Sequence, residues 1–385
     1  MPAGHARIAV VAGELSGDKL GAGMIAALRQ RWPDALIEGV GGPAMAAAGC
    51  EILFDCEELA VMGLFEVLRH LPRLMTRRRE LIDRWQRQPP DIFVGIDAPD
   101  FNLGLAKRLR LSGTTTVQYV CPSVWAWREG RVKTLRAALD HVLCLLPFEP
   151  AFLQRHQIAA TFVGHPLVHE IPVDVDPSAA RASLDLSDKP LLVLLPGSRG
   201  GEIDRHAEAF IAAARLLKAN MPALDVVAAL ANEAGARQFA PFVTGTDPIR
   251  IVAGKTRTAL AAATAVLVAS GTATLETALH GRPLVAAYRL SPLTYRVVTA
   301  LNLVKTPYVS LPNLLLDGPV VPELIQAAVK PASLAAALAP LLEDPVARDA
   351  QIHEFARLRE ALSEDANTRS ADVISTLLGE CLSQR

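Results

Sequence analysis

The sequence lacks any cysteine framework. Its five cysteines (Cys50, Cys56, Cys121, Cys144 and Cys381) are scattered and odd in number, with no C-x-x-C among them. That argues against a disulfide-stapled secreted fold and fits a reducing compartment. It also lacks net charge: 39 basic side chains against 40 acidic ones leave −1. No global attraction to nucleic acid follows, and no nucleic-acid partner is expected. No apolar run approaches the roughly 18 residues that span a bilayer. The start, MPAGHARIAVVAGE, carries no signal peptide and reads straight into a strand. A cytoplasmic protein, soluble or peripheral, is the expectation. There is no solenoid repeat, no low-complexity tract and no Walker A loop. The stretch GVGGPA (Gly39–Ala44) misses the G-x-G-x-x-G pattern, so dinucleotide binding is left without its signature.

What is present is a large core. Hydrophobic residues make up 51% and charged residues 21% of 385 positions, enough for two domains. Short, continuously apolar runs predict buried parallel strands at Ile8–Ala12, Leu36–Val40, Ile92–Ile96, Thr115–Val120, His141–Leu146 and Thr161–Val163. Helical patterns lie between them, for example Lys19–Arg31 and Asn102–Ser112. Pro166, Pro172 and Pro177 then punctuate HPLVHEIPVDVDP, which reads as a linker. Strands restart at Leu191–Leu195, Asp225–Leu230, Ile249–Ala253, Ala265–Ala269 and Leu284–Tyr288, and after about Pro331 the pattern is helical. The fold class is α/β, with two domains facing across a cleft. The expected boundaries are 1–170 and 171–345, with terminal helices over 346–385.

Parallel sheets bind ligands outside the carboxyl ends of their strands, so the residues after each strand matter most. After the first come Glu14 and Ser16 between two glycines, either a turn with a helix cap or a loop touching ligand. After the third, VGIDAPDF places Asp97 at the tip and Asp100 three residues on. Asp100 reads as a helix cap; Asp97 reads as a general base that takes a proton from an attacking hydroxyl. CPSVWAWR follows another strand, and Trp125 and Trp127 either cover the core or form a platform for a sugar or acyl chain. In the second half LLPGSRGGE joins strand to helix, with Ser198 and Arg199 placed for a diphosphate. ASGTATLE repeats the arrangement: Ser270, Gly271 and Thr272 open a helix. Glu276, one turn beyond Thr272, could accept hydrogen bonds from a ribose diol.

Metal signals are weak. Asp174-Val175-Asp176 spells D-x-D but lies in the proline-rich linker, and His165 precedes a proline, which disfavours a helical zinc pair with His169. No metal and no cofactor are expected. One stretch differs in character. Val61, Met62, Leu64, Phe65, Leu68, Leu71 and Met75 supply an apolar stripe, with Val67 and Leu74 widening it and Arg69, Arg73, Arg77, Arg78 and Arg79 beside it. That is either a helix covering a sheet or one resting on an anionic membrane. Gly63 and Pro72 argue against one unbroken helix.

Together GELSGD, GIDAPDFN, PSVWAWR, LLPGSRGGEI, ASGTATLE and VKTPYVSLPNLL, running from about Ile8 to the terminal helices, resemble the lipid-A-disaccharide synthase family. Cys121 departs from the serine usual there. The resemblance implies a GT-B fold of two Rossmann-like domains and an inverting glycosyl transfer. UDP-2,3-diacylglucosamine would be the donor and 2,3-diacylglucosamine 1-phosphate (lipid X) the acceptor, at the cytoplasmic face of the inner membrane. It implies that Asn313, in SLPNLL, is a cleft residue positioning diphosphate or sugar. It also implies a monomer, or a homodimer exchanging C-terminal segments; the alternative is a tail packed back on the first domain. A UDP-N-acetylglucosamine 2-epimerase-like enzyme is the nearest rival, though it needs no lipid face. A non-catalytic membrane nucleotide-sugar sensor is another, though it leaves Asp97 unexplained.

Overall fold

The computed structural model describes residues 6–383 apart from 60–63, 128, 174, 246, 248, 270 and 301–305, and only the backbone of 64–70, 127, 129 and 293. Val61, Met62 and Ser270, and the side chains of Leu64, Phe65, Leu68 and Trp127, therefore lie outside the described residues. The chain forms two compact units: residues up to Pro166 together with Leu362 onward, and Leu167–Ala361.

The first unit holds a seven-stranded sheet of β1 (Arg7–Ala12), β2 (Leu36–Gly41), β3 (Glu51–Asp55), β4 (Ile92–Ile96), β5 (Thr115–Tyr119), β6 (His141–Cys144) and β7 (Ala159–Phe162), in the order β3-β2-β1-β4-β5-β6-β7. The second holds β8 (Leu191–Leu195), β9 (Asp225–Leu230), β10 (Ile249–Ala253), β11 (Ala265–Ala269), β12 (Leu284–Tyr288) and β13 (Glu323–Ile325), in the order β10-β9-β8-β11-β12-β13. Neighbouring strands run parallel throughout, for instance Ile8 beside Ile92 and Leu192 beside Ala265. The central strands β4, β8 and β11 are buried along their whole length. This is why they read as unbroken apolar runs: helices cover both faces.

Each sheet winds outward from its first strand and then jumps to that strand's other side. The switch points fall between β1 and β4 and between β8 and β11, where open α/β sheets leave a crevice. Strands β3 and β13 had no counterpart in the sequence reading. Both are edge strands, half-exposed and carrying acidic residues, so neither makes an apolar run. Helices begin earlier than read, at Leu15 and at Pro99.

Pro72 does not break its helix, which runs from Leu64 to Arg87. Pro72 is exposed, so the carbonyl it cannot bond is free to meet water. The chain returns to the first unit only at its end. Helix Pro345–Ala361 belongs to the second unit. Helix Ala366–Ser383 places Ala371, Ile374 and Leu378 in the first unit's core, and Asp372 accepts from Arg31 Nε at 2.9 Å. No helix among the described residues is long and apolar enough to cross a membrane.

Candidate active site

At the first switch point the tips of β1 and β4 touch. Gly13 has no room for a side chain: a Cβ there would lie 2.2 Å from the Cβ of Ala98. Glu14 follows, accepting a hydrogen bond from the Ser16 hydroxyl. Neither caps the helix from Leu15, whose N-cap position is Glu14 with no side-chain bond to the backbone. Asp18, buried one turn on, receives the N–H groups of Gly42, Ala44 and Met45 at 2.7–3.0 Å and so secures the neighbouring loop.

Asp97 sits opposite Glu14. Its backbone N–H donates to Tyr119 O at 2.9 Å, continuing the β4–β5 ladder by one residue. Asp97 and Ala98 then both turn left-handed, with φ of 49° and 40°. The carboxyl of Asp97 is held above the usual range by burial and by the Glu14 carboxylate nearby, partly offset by the N–H of Ala98. A partly buried carboxylate with a raised pKa at a strand tip has the properties of a general base. Asp100 is not the cap: the helix Pro99–Leu111 is preceded by Ala98, and Asp100 lies in the first turn, paired with Arg131.

Trp125 is part of the core. Its indole donates to Glu149 Oε1 at 2.9 Å and meets Phe148 edge-on at 4.8 Å, so the ring is tied to the core it half covers. Glu149 is 3% exposed, and its other oxygen accepts from Leu146 N. Burial raises its carboxyl from an ordinary 4.5 to about 7. Cys121 and Cys144 adjoin it, the three ligand atoms lying within 4.8 Å of one another. Hydrogen bonding to Cys144 and burial push the Cys121 thiol up from its ordinary range. The spacing would admit a metal ion, but both oxygens of Glu149 are already engaged by N–H donors.

At the second switch point the side chains are different. Gly197 takes φ 126°, and the carboxylate of Glu202 folds under it to accept from the N–H groups of Ser198 at 3.1 Å and Arg199 at 3.3 Å. Arg199 reaches Glu202 only at 3.6 Å and its side chain is 82% exposed, leaving the guanidinium available above the helix Gly200–Asn220. Beside it, Gly271 (φ 139°) and exposed Thr272 open the helix Thr272–Leu279. Glu276 in that helix is bound to Arg257 at 3.0 Å, and Arg257 also holds Glu170 at 2.7 Å. Asn313 is 1% exposed. Its amide bonds Val321 at both ends and donates to Glu323 Oε1, so it ties down a loop.

The helix Leu64–Arg87 divides along its length. Leu81 and Trp85 are core residues, and Arg84 and Trp85 both bind Glu38. Arg73 and Arg77 pair with Glu58, and the guanidinium of Arg78 lies against Met75 and Phe101. Leu71 is 45% exposed. Asp176, from the D-x-D, caps the helix Pro177–Ala182 through Ser178 N.

Four residues that matter here were not singled out from sequence: Asn102, Gln118, Glu149 and Glu202. Gln118 left a trace, an amide inside the apolar strand TTVQY. Glu202 left another, an acid at the third position of a helix following a glycine turn.

The family described as lipid-A-disaccharide synthetase matches residues 8–376. Lipid-A-disaccharide synthases from Azotobacter vinelandii and Pseudomonas aeruginosa are 50% and 48% identical over 380 and 375 residues. Each comparison covers 97% of this chain and 98–99% of the relative. That of Pseudoalteromonas translucida is 47% identical over 377 residues, 96% of this chain and 97% of that one. Among solved structures, the UDP-GlcNAc 2-epimerase from Neisseria meningitidis bound to UDP-GlcNAc superposes with TM-score 0.66 at 10% identity, over 97% of this chain and 100% of that one. The calicheamicin glycosyltransferase CalG4 gives 0.55 at 18%, over 98% and 99%. At those identities the structures speak for the fold alone, the two Rossmann-like units of GT-B enzymes. On sequence, the chain belongs to the lipid-A-disaccharide synthase family.

Proposed function

We propose that this glycosyltransferase of lipid A biosynthesis joins UDP-2,3-diacylglucosamine to the 6-hydroxyl of 2,3-diacylglucosamine 1-phosphate, with Asp97 as the base. Asp97 takes the hydroxyl proton as the oxygen attacks the anomeric carbon. The bond from that carbon to the UDP oxygen breaks through an oxocarbenium-like state, configuration inverts, and the products are a β-1,6 disaccharide 1-phosphate and UDP. The departing diphosphate would be stabilised by Arg199 and by the helix starts at Gly200 and Thr272. Gly271 allows close backbone approach, Ser198 lines the turn, and Glu276 would meet the ribose while held by Arg257. Glu14 and Ser16 flank the base. Exposed Leu71, with Met75 beside it, would face acyl chains or the inner leaflet from the cytoplasmic side.

The observation that carries this reading is Asp97 itself, a partly buried carboxylate at the switch point whose pKa is raised by burial and a second acid. The test is product analysis with purified enzyme in detergent micelles, given both acylated sugars. One UDP should be released per disaccharide phosphate formed. An epimerised UDP-sugar, or UDP released without consumption of acceptor, would contradict the reading.

A further inference from the structure

Nothing local explains why Asp97 and Ala98 stay left-handed. Neither is glycine, and such residues pay a conformational cost there. Val120, at the tip of the adjacent strand β5, does the same with φ 75°, and a β-branched residue adopts that region rarely. The conformation is held from beneath. Asn102 Nδ2 and Gln118 Nε2 both donate to the carbonyl oxygen of Asp97, each at 2.9 Å. Both side chains are completely buried. The same nitrogen of Gln118 lies 3.3 Å from Tyr119 O and 3.5 Å from Val120 O, so one amide sits under both strained turns.

The other halves of these amides are left over. Asn102 Oδ1 and Gln118 Oε1 are buried and have no hydrogen-bond partner among the described residues. A buried acceptor without a donor destabilises the fold. Flipping either amide would not relieve this, because its oxygen would then face carbonyl oxygens: Val11, Ile96 and Asp97 around Asn102, and Asp97 and Tyr119 around Gln118. The donors are therefore fixed on the Asp97 turn. Gly95 makes room for them: a Cβ there would lie 2.9 Å from Asn102 Cβ and 3.0 Å from Gln118 Oε1. Gly95 and Gln118 are register partners on β4 and β5. This accounts for a glycine inside a fully buried strand, where it otherwise weakens pairing.

We infer that Asn102 and Gln118 form a clamp that positions the Asp97 carboxylate for proton abstraction. The inference rests on Asp97 being the base. The clamp residues touch no reacting atom; they are positioning residues. Two N–H groups on one peptide carbonyl fix the peptide plane after Asp97, and with it the direction of the side chain. A misplaced reacting group costs on the order of a hundredfold per ångström, so a relaxed turn would lower turnover without weakening substrate binding.

The test is a kinetic cycle on the full-length enzyme. Gln118→Met keeps the length of the side chain and removes its donor. It is made in the wild type and in Asp97→Ala, and single-turnover rates, KM for both acylated sugars and UDP affinity are measured. The expected result is a fall in rate of about tenfold or more in the wild-type background, with KM and UDP affinity unchanged. In Asp97→Ala, Gln118→Met should cause no further loss. Equal losses in the two backgrounds would show a structural role independent of Asp97 and overturn the clamp. So would wild-type turnover in Gln118→Met. If Gln118→Met does not fold, Gly95→Ala, which retains both amides but crowds them, carries the same expectations. Should Asp97→Ala itself turn over normally, the base and the clamp fall together. An inactive Asp97→Ala beside a fully active Gln118→Met removes the clamp alone.

Discussion

The two sheets share a strand order and a switch point but treat charge at that point in opposite ways. In the first unit Asp97 and Glu149 have no ion-pair partner among the described residues: burial and Glu14 raise Asp97, and Glu149 is buried among thiols and an indole. In the second, acids are matched to arginines or to backbone N–H groups. Glu276 and Glu170 share Arg257, Glu202 closes the Ser198 turn, and Arg199 is left exposed. Backbone strain divides the same way. At the tips of β4 and β5 the left-handed residues are Asp97, Ala98 and Val120, whereas after β8 and β11 they are Gly197 and Gly271. At one set of tips non-glycine residues are held under strain; at the other glycine takes the conformation without that cost. On the function proposed above, one unit would supply the proton acceptor and the other the anion site.

The comparison can be broken at several points. The largest effect is expected at Glu149. Its carboxyl is raised in the folded state, so its contribution to stability is complete below about 4.5 and is lost as pH rises through about 7. That amounts to about 3 kcal/mol across the window. Denaturant titrations of Glu149→Gln should lose this slope; a slope identical to wild type would mean the acid is not isolated. Next come the glycines. Gly13→Ala forces a Cβ onto that of Ala98 and should cost about 1–3 kcal/mol. Gly271→Ala meets no atom within 4 Å and should cost only its left-handed strain, roughly 1–2 kcal/mol. Calorimetry that ranks them the other way would show that space is not what distinguishes the two tips. Arg199→Ala should weaken UDP binding about tenfold, the scale of one charge-assisted contact. Unchanged affinity would remove Arg199 from the anion site. The smallest effect is at Glu14. Glu14→Gln removes a like charge from Asp97, lowers its pKa and should move the acidic limb of the rate profile down by less than about one pH unit. A limb that moves upward would contradict the sign.

Much of this was legible in the sequence because buried parallel strands are contiguous apolar runs. Strands β4, β8, β9, β10, β11 and β12 fall where the runs end, and strand tips direct attention to Asp97, Arg199 and Gly271. Strands β3 and β13 were not legible, since both are half-exposed edge strands that carry acids, unlike edge strand β10, which keeps an apolar run. Asp100 read as a cap because its pairing with Arg131, 31 residues away, leaves no local mark. Asn313 was pointed to by resemblance alone, and sequence does not reveal that Val321 and Glu323 take up its amide. The clamp was hidden for the same reason: Asn102 and Gln118 meet at one carbonyl only after β4 and β5 pair. Pro72 shows the reverse error, a local breaker that an exposed position lets the helix absorb.

The most direct test of this division of labour is the rate of disaccharide formation by Asp97→Ala at saturating substrates, with UDP affinity measured on the same preparation. The account predicts a loss of at least about a hundredfold in rate, the scale of a positioned base, and UDP affinity equal to wild type. Turnover at the wild-type rate would contradict it, and would leave Glu14, at the neighbouring tip of β1, to be tried as the base.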